Sequence, residues 1–333
     1  MVEFWLGTFP NAGQPAELAR MAEHDGWDGL AFTDSQNLHG DTFVALALAA
    51  NATSGLKLAT GATNPATRHP AVVASAIATI QGESGGRAVL GIARGDSALS
   101  YLGRPPMPLR DFAAALTQIQ TYLRGETVDC DGFPSRLEWL ANATLPKVPM
   151  GVAATGPRVI GIAARVAERI TFSVGADPRR LQAAIELARQ GQQRPLSLGA
   201  YINAVVDPNV EHARDLVRAR MGTYARFSSM DRRVLESLPE TDREVTQRLA
   251  SAYEISKHGA SAARHAVAIS DEFVDRFGIV GRSEQVAERF RALMELGLDH
   301  FVVVGHGRDT PTDVFAESTR RFAQEVIPWV KKS

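Results

Sequence analysis

Eight short apolar runs recur along the chain, separated by longer stretches of helical character. They are 2–7 (VEFWLG), 28–34 (DGLAFTD), 56–61 (LKLATG), 87–96 (RAVLGIARGD), 148–154 (VPMGVAA), 169–175 (RITFSVG), 196–206 (LSLGAYINAVV) and 300–305 (HFVVVG). Nearly continuous apolar runs suit strands covered on both faces, as in parallel sheets. Their alternation with helical patterns points to βα units. A count of eight predicts an α/β (β/α)8 TIM barrel. A doubly wound open sheet is the competing arrangement.

Helices are predicted over 15–25, 42–53, 70–82, 111–124, 157–166, 178–190, 209 to about 265 with a break near Pro239, 283–296 and 311–330. Pro15, Pro157 and Pro178 stand where a helix begins, where a missing N–H costs nothing. Ser283 is read as a cap, with Glu284 in the first turn. The spacing breaks at 97–148 and again at 226–280. These are read as insertions after the fourth and seventh strands of one domain spanning 1–333, and as lid or substrate regions. Tyr101, Leu102, Met107, Phe112 and Trp139 are candidates for an apolar lining there.

Several function classes are disfavoured at this point. Lys plus Arg is 36 and Asp plus Glu 37, a formal charge of −1, which argues against binding nucleic acid by neutralising phosphates. Cys130 is the single cysteine, so one chain builds neither a disulfide nor a cysteine zinc site. A reducing, cytoplasmic compartment is the expectation. MVEFWLGTFP has no basic region before an apolar stretch, and no run approaches eighteen apolar residues, so neither a secretory signal nor a membrane span is expected. The eight histidines, at 24, 39, 69, 212, 258, 265, 300 and 306, form no His-x-x-x-His or His-x-His pair, and no metal site is expected. GESGGR (82–87) precedes a strand rather than following one, GIARGD lacks the Walker Lys-Ser/Thr, and no Gly-x-Ser-x-Gly elbow exists.

A barrel places its chemistry at the C-terminal ends of its strands. That rule selects Gly7 to Phe9, Thr33 to Gln36, Gly61 to Asn64, Arg94 to Asp96, Ala154 to Gly156, Ser173 to Gly175 and Gly305 to Gly307. The third end, GATNPATRHP (61–70), carries far more polar chemistry than a turn requires. AATGPR (153–158) and SVGADPRR (173–180) each put small residues before a proline-led helix. Free N–H groups there suit a phosphate. They also read as ordinary capped helix starts.

The segments TDSQNL (33–38), TGATNPATRHPAVVASAIATI (60–80), SGGRAVLGIARGDSA (84–98), AATGP (153–157) and IVGRSEQVAERFRALMELGLDHFVV (279–303) resemble the luciferase-like flavin and deazaflavin oxidoreductases. The nearest branch is the methylenetetrahydromethanopterin reductase-like group. The resemblance implies coenzyme F420, or alternatively FMN, at the C-terminal mouth of the barrel. The ring would lie over a bulge after the third strand that contains a cis Gly61–Ala62 bond. Thr63 and Asn64 would face the pyrimidine edge, and Arg68 and His69 would brace the loop. Thr155, Gly156, Pro157, Val174 and Gly175 would hold the phosphate. Gly7, Ser35 and Arg94 complete the expected cofactor set. Asp96 is the candidate proton donor, given apolar surroundings, and Asp34 a group that holds ring or substrate. Arg94 could also pair with Asp96, and Arg158, Arg179 and Arg180 suit the acidic F420 tail.

The sequence departs from sugar-oxidising deazaflavin relatives in two ways. Asp34-Ser35 stands where they carry Asp-His. Asp96 stands where they carry a glutamate. In addition, Ala167-Glu168-Arg169 replaces the usual Ala-Asp-Gly before the sixth strand. The implied activity is hydride transfer between F420 and a small organic substrate. The alternatives are an FMN-dependent monooxygenase served by a separate flavin reductase, and a non-catalytic flavin-binding protein. The implied assembly is a homodimer.

Overall fold

The computed structural model describes residues 2–260, 263, 266 and 269–332. Its strands are β1 (Glu3–Thr8), β2 (Gly29–Phe32), β3 (Lys57–Thr60), β4 (Ala88–Ile92), β5 (Val128–Cys130), β6 (Phe133–Ser135), β7 (Met150–Ala154), β8 (Arg169–Phe172), β9 (Ser197–Ile202), β10 (Ala204–Val206), β11 (Ile279–Gly281) and β12 (His300–Val303). Eight of them close into an all-parallel barrel in the order β1-β12-β9-β8-β7-β4-β3-β2. The seam joins the first strand to both the last and the second, with Glu3 opposite His300 and Trp5 opposite Gly29. The open-sheet alternative is therefore excluded.

Side chains alternate across each strand, as the period of two demands. Phe4, Leu6, Leu30, Leu58, Leu90, Val152, Ile170 and Phe301 point outward into the layer shared with the helices. Trp5, Ala31, Ala59, Tyr201 and Val302 point inward. The inner set is small on β2 and β3 and large on β1 and β9. The floor of the barrel mouth is therefore shallow on one side and aromatic on the other.

Helices Pro15–Asp25, Pro157–Val166 and Pro178–Gly191 each begin on a proline. Helix Ser283–Glu295 differs from expectation at its start. Arg282, with extended backbone, takes the cap position, and Ser283 is the first helical residue. Within the stretch after β4, helix Leu109–Leu123 packs between Pro70–Glu83 and Pro157–Val166. It thus serves as the barrel helix of that unit. β5 and β6 form a small antiparallel hairpin turned at Asp131-Gly132, both with positive φ.

The long seventh run divides. Asn203 separates β9 from β10, and its Nδ2 donates to the Val304 carbonyl at 2.8 Å. β10 leaves the barrel to pair with β11. Between them run helices Val210–Phe227, Arg232–Ser237, Glu240–Ser251 and Asp271–Phe277. The helix predicted to run to about 265 ends instead at Ser251, a 3-10 turn follows at Ile255–Lys257, and His265 lies outside the described residues. Among the described residues, no helix is long and apolar enough to cross a membrane.

Candidate active site

A cavity of about 560 Å³ opens at the C-terminal mouth of the barrel. Its size falls in the ordinary range for small-molecule and cofactor sites. Tyr201 and Ala153 of the inner barrel layer form part of its lining. Its walls are the ends of β2, β3, β4, β7 and β8 and one face of helix Val210–Phe227.

Beyond β3, the peptide between Gly61 and Ala62 is cis, as the resemblance implied. Both residues line the cavity. A Cβ on Gly61 would lie 3.0 Å from that of Ala31, so glycine lets the bulge sit close against β2. Asn64 also lines the cavity. Its side-chain oxygen accepts from the Ala66 and Thr67 amides, which leaves its NH2 group as the donor it can offer inward. Thr63 does not line the cavity. It is fully buried, bridged to β4, and its hydroxyl donates to Asp34 Oδ2 at 2.6 Å. The expectation that it faces a ring edge is corrected: it supports Asp34 from behind.

Asp34 is itself tied down. Arg68 Nη1 donates to the same Oδ2 at 2.5 Å, while Arg68 Nη2 reaches Asp41 at 2.7 Å. Arg68 thus braces the loop, as expected. His69 caps the next helix, its Nδ1 accepting from the Ala71 amide. Ser35 lines the cavity, with its hydroxyl 2.9 Å from that of Ser97.

At the end of β4, both Asp96 oxygens accept from Arg226 Nη2. Asp96 therefore lies in an ion pair rather than in the apolar surroundings that the donor role presumed. The alternative Arg94–Asp96 pair does not form. Arg94 Nε donates to the Met107 carbonyl at 2.7 Å, and burial, with Arg158 adding to it, pushes the Arg94 guanidinium down.

The two expected phosphate cradles prove unequal. Helix Pro157–Val166 starts from Gly156 with no side-chain cap, and Thr155, Gly156 and Val159 line the cavity. Pro157 sets that start without lining it. At the β8 end Ser173 lines the cavity, but the chain beyond it is closed off. Asp177 caps the following helix by accepting from the Arg179 and Arg180 amides. Val174 is buried, and a Cβ on Gly175 would lie 2.7 Å from the Phe277 ring. Arg180 turns to Ser228, at 2.7 Å, and over the Phe277 ring. Val174 and Gly175 are thus covered by the segment leading to β11. Gly7 is corrected as well: it faces the inner layer, where a Cβ would strike Val304 at 2.5 Å, and it lies outside the cavity.

None of the expected apolar residues lines the cavity. Phe112 is core, Met107 packs against the core, Tyr101 bonds the Ile255 carbonyl, and Leu102 and Trp139 are exposed. The aromatic lining comes instead from Tyr201, Tyr224 and Phe227. Arg220, Thr223, Tyr224 and Phe227 share a helix face by their spacing of three, four and seven, a signal present in the sequence. His39, His258, Met230 and Asp231 were also missed. Burial, reinforced by Arg220 and Arg308, pushes His39 down to about 3 and keeps it neutral.

These residues fit a flavin or deazaflavin. The cis bulge supplies a flat backbone wall, Asn64 a polar edge, and the uncapped Gly156 helix start, with Arg94 and Arg158 near it, suits a phosphate. Asp231 alone conflicts: its Oδ2 would be 3.1 Å from a Cβ on Gly156, and it pairs with Arg158.

A closed parallel barrel with this mouth and cis bulge suits a cofactor-dependent oxidoreductase of the flavin and deazaflavin type. More specifically, residues 5–300 match the luciferase-like monooxygenase family, and the chain belongs to it. It is 29% identical over 326 residues to the 5,10-methylenetetrahydromethanopterin reductase of Archaeoglobus fulgidus, covering 94% of each chain. The reductase of that name from Methanolobus tindarius is 25% identical over 299 residues, covering 86% of this chain and 88% of the other. The solved coenzyme F420 dependent tetrahydromethanopterin reductase from Methanopyrus kandleri superposes with a TM-score of 0.73 at 23% identity. It covers 98% of this chain and 99% of that one, a likeness of fold. Within its family the chain sits with the methylenetetrahydromethanopterin reductase-like branch.

Proposed function

We propose that this protein is an F420-dependent oxidoreductase that transfers a hydride between the deazaflavin and a small organic substrate. Likeness over nearly the whole chain to methylenetetrahydromethanopterin reductases, and to an F420-dependent glucose-6-phosphate dehydrogenase of Beutenbergia cavernae at 27% identity over 332 residues, supports this reading. Gly61, Ala62 and Asn64 would hold the ring, and Thr155, Gly156 and Arg94 the phosphate. When bound, the cofactor supplies or accepts the hydride, and the protein orients it and excludes water.

Asp34, fixed by Arg68 and Thr63, would keep the ring-side wall rigid. Asp96, in its ion pair with Arg226, would take a proton from a substrate that gives up a hydride. In the reverse direction it would return that proton. Ser35 stands where an imidazole base would otherwise be, so the Asp96–Arg226 pair is the acid–base group this reading relies on.

Parallel titration of the cofactor-free protein with F420 and FMN tests the assignment. Tight F420 binding and weak FMN binding are expected. Tight FMN binding with no F420 binding would overturn it in favour of an FMN monooxygenase served by a separate reductase. A bound chromophore that reduces no acceptor in a broad screen would favour the non-catalytic reading. A cytoplasmic homodimer belongs to the same proposal. Val44 and Leu48, with Val72 on the adjacent helix, expose apolar surface that supports a second copy.

A further inference from the structure

The charges around the cavity leave a surplus at two places. Among the described residues, its lining carboxylates are Asp34, Asp96 and Asp231. Each has its own arginine: Arg68, Arg226 and Arg158 respectively. The lining cations without a carboxylate partner among the described residues are Arg94 and Arg220. Arg94 lies within electrostatic reach of Arg158 and Asp231, beside the Gly156 helix start. That is the end assigned above to the cofactor phosphate.

Arg220 lies elsewhere. It is only 3% exposed, yet it lines the cavity. Its guanidinium stacks over Phe9, 4.5 Å from the ring centroid, and over Tyr224, 5.4 Å from the ring centroid. Phe9 follows β1 and Gly156 follows β7. In the closed barrel those strands are four places apart in either direction, on opposite sides of the mouth. A ring spanning the cis bulge would have one cation at its phosphate end and the other beyond it.

Burying a guanidinium without a counter-charge is costly, and ring faces offset only part of that cost. The planar fork of an arginine suits a carboxylate better than any neutral acceptor. We propose that Arg220, held between the Phe9 and Tyr224 rings, is a subsite for a carboxylate on the substrate, so that the acceptor is an anionic organic molecule. This deepens the F420 reading and rests on it for assigning the anion to substrate rather than cofactor.

The test compares two probes of nearly the same shape, trans-cinnamate and the uncharged cinnamamide, by calorimetric titration of the cofactor-free protein. The wild type is expected to bind the acid about 10- to 100-fold more tightly than the amide, the range of a charged, buried hydrogen-bonded contact. Arg220→Gln should abolish the preference and leave the amide affinity as it was. Arg220→Lys should retain part of it. Equal binding of acid and amide by the wild type overturns the proposal and needs no variant. A preference that survives in Arg220→Gln also overturns it. Should Arg220→Gln not fold, Arg220→Lys decides, since an unchanged preference there refutes recognition by a planar fork. F420 and its phosphate-free chromophore are titrated in parallel. Loss of F420 affinity in the variant, with chromophore affinity unchanged, would give Arg220 to the cofactor tail and overturn the substrate assignment. Failure of F420 to bind the wild type, with the acid preference intact, would refute the cofactor reading and leave the anion subsite standing.

Discussion

Asp231→Asn should tighten the binding of a phosphate-bearing cofactor. Asp231 stands at the uncapped start of helix Pro157–Val166 in the cavity wall, its Oδ2 within 3.1 Å of where a Gly156 Cβ would be and 3.2 Å from Arg158 Nη2. An anion accepting from the free amides of that first turn would lie close to that carboxylate. Two like charges at about 4 Å repel by about 1 kcal/mol in water and about 4 kcal/mol in the mixed medium near a protein surface. The Asp231 side chain is 18% exposed and Arg158 57% exposed, so solvent and salt reduce the upper figure. We expect about 1–2 kcal/mol, or roughly 5- to 30-fold in affinity.

The amide isolates the charge from the fold. Asp231 also caps helix Arg232–Ser237, its Oδ1 accepting from the Arg233 amide at 3.0 Å. Asparagine caps about as well as aspartate. Fluorescence titration of F420 at low and high ionic strength measures the effect, and the gain should shrink as salt rises. Should Asp231 swing away on binding, the variant still binds more tightly, because closure over Gly156 then loses its Arg158 contact. Unchanged or weaker binding at low salt would refute a phosphate at this helix start.

Gly175→Ala should cost about 2–4 kcal/mol of stability in urea unfolding, because φ is +81° and the new methyl meets Phe277. F420 affinity of the folded fraction should not change; a specific loss of affinity would return Gly175 to the cofactor. Asp34→Ala should cost about 2–3 kcal/mol by stranding the Thr63 hydroxyl and half of the Arg68 fork, and denaturant midpoints would show it. Burial alone would raise Glu3, but Arg169 and Lys57 overcome it and hold the carboxyl at about 2. A lowered carboxylate stabilises the fold above its unfolded value near 4.5, and that contribution drains away as pH falls toward 2. Glu3→Gln should therefore flatten the decline in unfolding free energy over that window by up to about 3 kcal/mol, and an unaltered slope would refute it.

The fold was legible because parallel strands buried on both faces leave continuous apolar runs, and eight such runs leave little choice of architecture. The misses are equally physical. β5 and β6 have three residues each, too few to show a period of two, although Asp131-Gly132 carried a hairpin signal. The break between β9 and β10 rests on one asparagine inside an apolar run. Asn203 leaves the barrel ladder to bond Val304, and its carbonyl accepts from Ile279, a residue whose position no local pattern reveals.

The site was legible in proportion to how much of it lies on strand ends. Asp34, Ser35, Gly61, Ala62, Asn64, Arg94, Asp96, Thr155 and Gly156 all reach the cavity, and all were found by one rule about barrels. That rule fixes where a residue stands around the mouth, but not what lies over it. Gly175 and Val174 sit at a strand end as the rule requires, yet Phe277, a hundred residues further along, closes them off. The same long excursion from the barrel brings Arg220, Tyr224 and Phe227 over the opposite side. Strand ends hold the parts that suit a cofactor, whose ring and phosphate need fixed backbone. The excursion holds Arg220 and the aromatic wall, whose size and charge would select a substrate. A relative that keeps the strand ends and changes the face of the 210–227 helix should therefore keep its cofactor and change its acceptor.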